Sequence, residues 1–345
     1  MKMVLRTLGV LALLGAIGGG AVVGFGLYNV SAQVGHWPGV SWVLHSTFRN
    51  SVGLRAMPED EVPDNLSDPA MIELGARHYD SACADCHSVP GEERTATMRA
   101  MLPAPPHIYD AVEDWEPNEL HWIVYNGIKM SGMPAWPGVG REEEVWPVVA
   151  YLVAVQEGIE PEAQRALTEV GEDGPAGAGY CAGCHIDVDS HVPRLDILSA
   201  DYIAAELQAY HAGDRESGIM EQAATDVPQT AHLDLAEYFA QTPIERPAGE
   251  GSAEGETLAT RGSNDVPACT ACHGPGQTEA QRFPSLSGQD EAYLATQLRL
   301  WRDGGRTGSE KMTIAAEELT DEEIDALAAW FASLEPAEGD EVSQE

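Results

Sequence analysis

The chain opens with an apolar block and then breaks into short helical stretches. From Thr7 to Gln33 there is no charged residue, and the 21 residues Leu8 to Tyr28 are almost wholly apolar. That length crosses a hydrocarbon core as one helix. Lys2 and Arg6 precede it, which places the N-terminus on the cytoplasmic side. A cleavable signal peptide, cut after Val30-Ser31-Ala32, is the alternative, although its apolar run is usually shorter. Trp37, Trp42 and Phe48 then suit a membrane–water interface. Trp42, His45 and Arg49 fall on one face of a helix by spacing, and His36 and His45 read as surface or interfacial side chains.

Beyond this segment the pattern predicts an all-α protein. Pro69 to Asp80 reads as a helix leading into Cys83. Pro117 to Gly127 is a second, opened by Glu116-Pro117-Asn118-Glu119. Glu142 to Val155 is a third, with Trp146, Val149 and Leu152 or Val153 at helical spacing and Pro147 in the first turn. Asp201 to Ala212, His232 to Ala240, Asp290 to Asp303 and Thr320 to Leu334 are also helical, the last opened by the capping box Thr320-Asp321-Glu322-Glu323. Gln156 to Gly179 and Gln241 to Glu256, rich in Gly and Pro, read as exposed connections, each with room for a short helix. Glu335 to Glu345 reads as a disordered tail.

Part of the chain repeats. Pro193-Arg194-Leu195 corresponds to Pro284-Ser285-Leu286, and Tyr202, Leu207, Tyr210, Gly213 and Arg215 correspond to Tyr293, Leu298, Trp301, Gly304 and Arg306, all at an offset of 91 residues. Leu235 to Phe239 matches Leu327 to Phe331 with one more residue inserted. A self-match of this kind signals duplication of a structural unit.

The sequence Cys-x-x-Cys-His occurs at Cys83-Cys86-His87, Cys181-Cys184-His185 and Cys269-Cys272-His273, and these motifs use all six cysteines. This is the attachment pattern of c-type haem. Two thiols form thioethers with the porphyrin, and the adjacent imidazole binds the iron. A redox dithiol does not need the following His, and a zinc site needs a second ligand pair. Three covalent haems c are therefore expected. Each needs a distal ligand, for which Met sulfur is the usual choice at high potential. Met220 and Met312 are the candidates in the repeated units. In the first unit Met133 is preferred, because Pro134 and Trp136 hold an extended loop there, with Met130, Met98 and Met101 as alternatives. His78, His107, His121, His191, His211 and His232 read as uncoordinated side chains.

The net charge is −37, with 56 Asp plus Glu. Such a surface argues against nucleic acid and against acidic lipids. It either steers a basic partner or suits high salt; acid spread along the whole chain favours the second.

Each haem-bearing unit resembles a class I cytochrome c domain. The first does so through Asn126-Gly127-Ile128 and Met133-Pro134-Ala135-Trp136; the other two resemble the tandem dihaem cytochromes c through the Tyr–Leu–Tyr/Trp–Gly–Arg run and its following Met. Three such domains follow an N-terminal transmembrane helix, with expected boundaries 1–35 (membrane anchor), 36–68 (interfacial segment and linker), 69–157, 158–243 and 244–335 (the three domains), and 336–345 (acidic tail). The second unit departs from the pattern. It has Gly174 to Gly179 in place of a clear first helix, Glu206 where the third has Gln297, and Val227 to Thr230 in place of a regular cap.

The resemblance implies one-electron transfer by His/Met-ligated haem, and Lys2 and Arg6 before the apolar span place the haem domains of such a carrier on the periplasmic side of the bacterial inner membrane. The carrier would take single electrons from a donor dehydrogenase or quinol-oxidising complex and pass them to an oxidase or soluble cytochrome. Trihaem subunits of membrane-bound dehydrogenases have a similar composition. The rival is a haem enzyme or sensor with one open iron; three credible Met ligands count against it, and no Ser/His/Asp set, phosphate loop or flavin fingerprint is evident.

Overall fold

A computed structural model describes residues 1–129, 131–171, 173–263, 266–274 and 283–336, and among these there is no strand. Met130 and the tail from 337 lie outside the described residues. Helix α1 (Lys2–Gly24) is the one described helix long and apolar enough to cross a membrane, and none of its residues is buried among the described residues. Helix α2 (Pro38–Arg55) starts on its proline, which needs no N–H partner in the first turn. Its second half docks on the body of the protein. Val52 is fully buried, Arg49 lies 4.9 Å over the Trp115 ring, and the same arginine pairs with Asp114 at 3.0 Å. Phe48 meets Trp115 edge-on at 5.3 Å, so it serves this contact rather than a membrane surface. Trp37 and Trp42 stay exposed.

The first core is built by α3 (Pro69–Ala82), the single turns α4 (Ala84–His87), α5 (Ala96–Arg99) and α6 (Ile108–Val112), then α7 (Pro117–Asn126) and α8 (Val145–Gln156). Asp68 caps α3 by accepting from Ala70 N, and Glu116 and Glu119 form the capping box of α7. Helix α8, preceded by the 3₁₀ turn Glu142–Glu144, is apolar on nearly every side and runs through the middle of the core. It crosses α3 at Gly75, where a Cβ would stand 1.9 Å from the Pro147 carbonyl oxygen; the absence of a side chain permits the crossing.

Gln156 to Gly179 is not simply exposed. It contains α9 (Pro161–Thr168), which packs on α3 and buries Gln164. Arg77 of α3, itself buried, donates to the Glu169 carbonyl at 3.1 Å and draws this segment inward.

The second core gathers around α10 (Ala178–His185) and α13 (His232–Ala240), while α11 (Ala200–Ala212) packs on α13 and on α12 (Gly218–Asp226). The third gathers around α14 (Ala253–Arg261), α15 (Thr270–His273), α16 (Glu291–Asp303), α17 (Glu310–Ala316) and α18 (Asp321–Ala332). The α14–α18 crossing repeats that of α3 and α8: a Cβ on Gly255 would stand 1.9 Å from the Ala326 carbonyl oxygen.

A polar seam joins the two repeated units. Gln289 accepts from Arg194 N at 2.8 Å and donates to the Arg194 carbonyl at 3.1 Å. Arg215 pairs with Glu206, while Gln297 accepts from Arg306 at 2.6 Å and from Arg215 at 3.4 Å. The Glu206/Gln297 difference thus gives the two halves unequal roles in one network. The connection Gln241 to Glu256 joins this seam instead of lying open: Ile244 is buried, and Arg246 donates to the Val192 and Val188 carbonyls, both at 2.9 Å.

Candidate functional site

Each Cys-x-x-Cys-His occupies one helical turn. His87 N bonds to the Cys83 carbonyl at 3.0 Å and His273 N to that of Cys269 at 2.9 Å; the second motif closes α10. Cys83, Cys181 and Cys269 pack against the first, second and third cores. Cys184 packs with Leu74, Val188 and Val192 between the first and second units. Burial pushes the Cys83 and Cys184 thiols up to about 12 and those of Cys181 and Cys269 up to about 11. A redox dithiol needs a lowered value, so these four thiols are poor thiolate nucleophiles.

The imidazoles share one arrangement. Nδ1 of His87 donates to the Pro106 carbonyl at 2.8 Å, that of His185 to Pro193 at 2.8 Å, and that of His273 to Pro284 at 2.9 Å. A carbonyl can only accept, so the proton sits on Nδ1 and the Nε2 lone pair is left for a metal. Burial lowers all three pKa values, that of His185 to about 4, which keeps the rings neutral. Neutral imidazoles beside paired cysteines are the donor set of a covalent haem, and the residues fit it.

Met133 sits in a loop closed by Ile128 N to the Met133 carbonyl at 3.2 Å and Trp136 N to the Tyr125 carbonyl at 2.8 Å. Met220 and Met312 each occupy the third position of a short helix. Their N–H groups are capped by Ser217 at 3.1 Å and Ser309 at 3.4 Å. Met312 also packs on the core that receives Cys269. Of the alternatives, Met98 lies on α5 with its N–H capped by Thr95 at 3.3 Å, and the Met101 methyl lies against Gly132.

The six histidines expected to be uncoordinated make contacts of their own. His78 is buried with its ring 4.9 Å from that of Trp136. His107 donates to the Glu92 carbonyl at 2.8 Å and His121 to that of Glu142 at 2.9 Å. His191 pairs with Asp68 at 3.2 Å, and His211 and His232 both donate to the Ala224 carbonyl, at 3.1 and 3.3 Å.

Sequence reasoning missed the prolyl carbonyls and the serine caps. Pro193 and Pro284 were visible as repeat partners, and Ser-x-x-Met recurs at 217 and 309; nothing in the pattern singled out Pro106.

An all-helical fold in which each motif presents two thiols and a tautomer-fixed imidazole defines a c-type haem protein. Residues 70–152 match the family described as cytochrome c oxidase, cbb3-type, subunit III, and residues 252–335 match cytochrome c. The thiosulfate dehydrogenase electron acceptor of Thiomonas intermedia is 34% identical over 46% of this chain and 80% of its own length. Cytochrome c4 of Pseudomonas aeruginosa is 30% identical over 47% of this chain and 87% of its own. Cytochrome c-554(548) of Halomonas halodenitrificans is 40% identical over 22% of this chain and 96% of its own. The chain belongs to the cytochrome c family. It is an electron-transfer protein with covalent haem c, a carrier rather than an enzyme.

Proposed function

We propose that the chain carries three haems and is a membrane-anchored, periplasmic relay of single electrons. Cys83 and Cys86, Cys181 and Cys184, and Cys269 and Cys272 would attach the porphyrins. His87 with Met133, His185 with Met220, and His273 with Met312 would ligate the irons. Bound haem supplies a one-electron couple whose potential the Met sulfur raises. The protein's part is to exclude water and fix each imidazole. The observation that carries the reading is the threefold Nδ1–H to prolyl carbonyl bond, which sets every proximal ring in the ligating tautomer.

Helix α1 supports a single-pass anchor in the inner membrane, with exposed Trp37 and Trp42 at the lipid surface. The first unit's match to a cbb3-type oxidase subunit favours an oxidase as acceptor. The likeness to thiosulfate dehydrogenase electron acceptors favours a second reading, a subunit that takes electrons directly from a dehydrogenase.

The experiment is a haem count per chain, followed by potentiometric titration with and without carbon monoxide. Three haems, three high-potential waves and no carbon monoxide binding are expected. Met133→Ala, Met220→Ala and Met312→Ala should each keep the haem attached, lower one wave and open one iron to carbon monoxide. Potentials and spectra unchanged in a variant would remove that methionine from the ligand set.

A further inference from the structure

We propose that Glu144 is a positioning residue that joins the distal-ligand segment of the first unit to that of the second. The inference rests on the assignment of Met133 and Met220 as ligands and concerns how their two segments are held.

Glu144 ends the 3₁₀ turn that leads into α8. Its Oε2 accepts from Trp136 Nε1 at 3.3 Å and from Gly218 N at 2.7 Å. Its Oε1 accepts from the Ser217 hydroxyl at 2.5 Å and pairs with Arg141 at 2.7 Å. Both carboxylate oxygens are thus fully used, by donors from two units. Burial raises the carboxyl pKa, and Arg141, the Ser217 hydroxyl and Gly218 N–H oppose that shift.

The donors are specific in place. Trp136 closes the loop that carries Met133. Ser217 caps α12, and while its hydroxyl donates to Glu144 it accepts from Met220 N. The path from one methionine segment to the other is therefore Trp136, Glu144, Ser217, with every link a hydrogen bond. Ile219, beside Met220, packs on the first core, whose buried set includes Trp136. A Cβ on Gly218 would stand 2.1 Å from Trp136 Nε1, so the contact requires glycine there. Arg141 anchors the carboxylate from behind. It is buried, pairs also with Glu143 at 2.6 Å, and donates to the Glu216 carbonyl. In the third unit Ser309 caps Met312 in the same way, which makes that haem an internal reference.

A contact that only glues two units together would affect stability and leave individual haem potentials alone. A positioning residue transmits a change in one ligand segment to the other, reciprocally. The test uses the full-length holoprotein with Trp136→Phe, Ser217→Ala, their combination and Glu144→Gln, each titrated potentiometrically. Waves are assigned with the single methionine variants. Trp136→Phe should shift the wave of the Met220 haem as well as that of the Met133 haem. Ser217→Ala should shift the Met133 wave as well as the Met220 wave. The combination should depart from additivity, Glu144→Gln should move both waves, and the Met312 wave should stay in place. Shifts confined to each variant's own unit, or equal shifts in all three waves, would overturn the proposal. If Glu144→Gln does not fold, the Trp136/Ser217 cycle decides alone. If Met133→Ala or Met220→Ala leaves its wave unmoved, it is the ligand assignment that has failed.

Discussion

His78 shows how one buried side chain ties stability to pH. Burial on α3, against Trp136, lowers its pKa from 6.5 to about 4. The unfolded chain binds the proton more readily than the fold does. Stability is therefore fully present above the unfolded value and is lost as pH falls from about 6.5 towards 4, by up to about 3 kcal/mol. In denaturant melts across that window the wild type should lose stability more steeply than His78→Phe as pH drops; parallel curves would show that His78 contributes no such slope. At this scale the sequence was highly informative where chemistry is written into spacing. The six cysteines, their following histidines and the Met candidates all stood out. It was silent on Pro106 and Glu144, because a carbonyl has no residue signature and a buried carboxylate resembles the many exposed ones around it.

Helices were legible where an apolar stripe ran long enough to show its period. The observed α3, α7, α8, α11, α13, α16 and α18 lie within a few residues of their expected bounds. Helices α12 and α17, of nine and seven residues, were not foreseen, since their serine caps precede segments too short for periodicity to register. Phe48 was misplaced because an amphipathic helix next to a membrane span looks the same whether it faces lipid or protein. The repeated crossing of first and last helices leads to a prediction. Gly75→Val and Gly255→Val should each destabilise by about 1–3 kcal/mol or more, since the backbone opposite cannot yield as a side chain would. Denaturant unfolding of the holoprotein checks this, and wild-type stability in both variants would refute the close approach.

For the whole molecule, the expectation that acid runs along the entire chain needs amendment. The first acidic residue is Glu59, so all 56 lie in the later part, while the first 58 residues carry only Lys2, Arg6, Arg49 and Arg55 as charged side chains. Self-repulsion in that later part should be relieved as the screening length shrinks from ~10 Å at 0.1 M salt to ~3 Å at 1 M. The thermal midpoint should therefore rise with sodium chloride, and a flat response would show the charge to be neutral in effect. The duplication was readable from the repeat, but the seam was not, because Arg194 and Gln289 meet across 95 residues with no periodic signal between them. The docking of α2 on the first core has a further consequence. Only Phe25 to Trp37 separates α1 from α2, a leash of at most about 45 Å when fully extended. If α1 is the membrane anchor proposed above, the first unit would be confined to a layer within that distance of the bilayer, and its search for membrane-embedded partners would become two-dimensional.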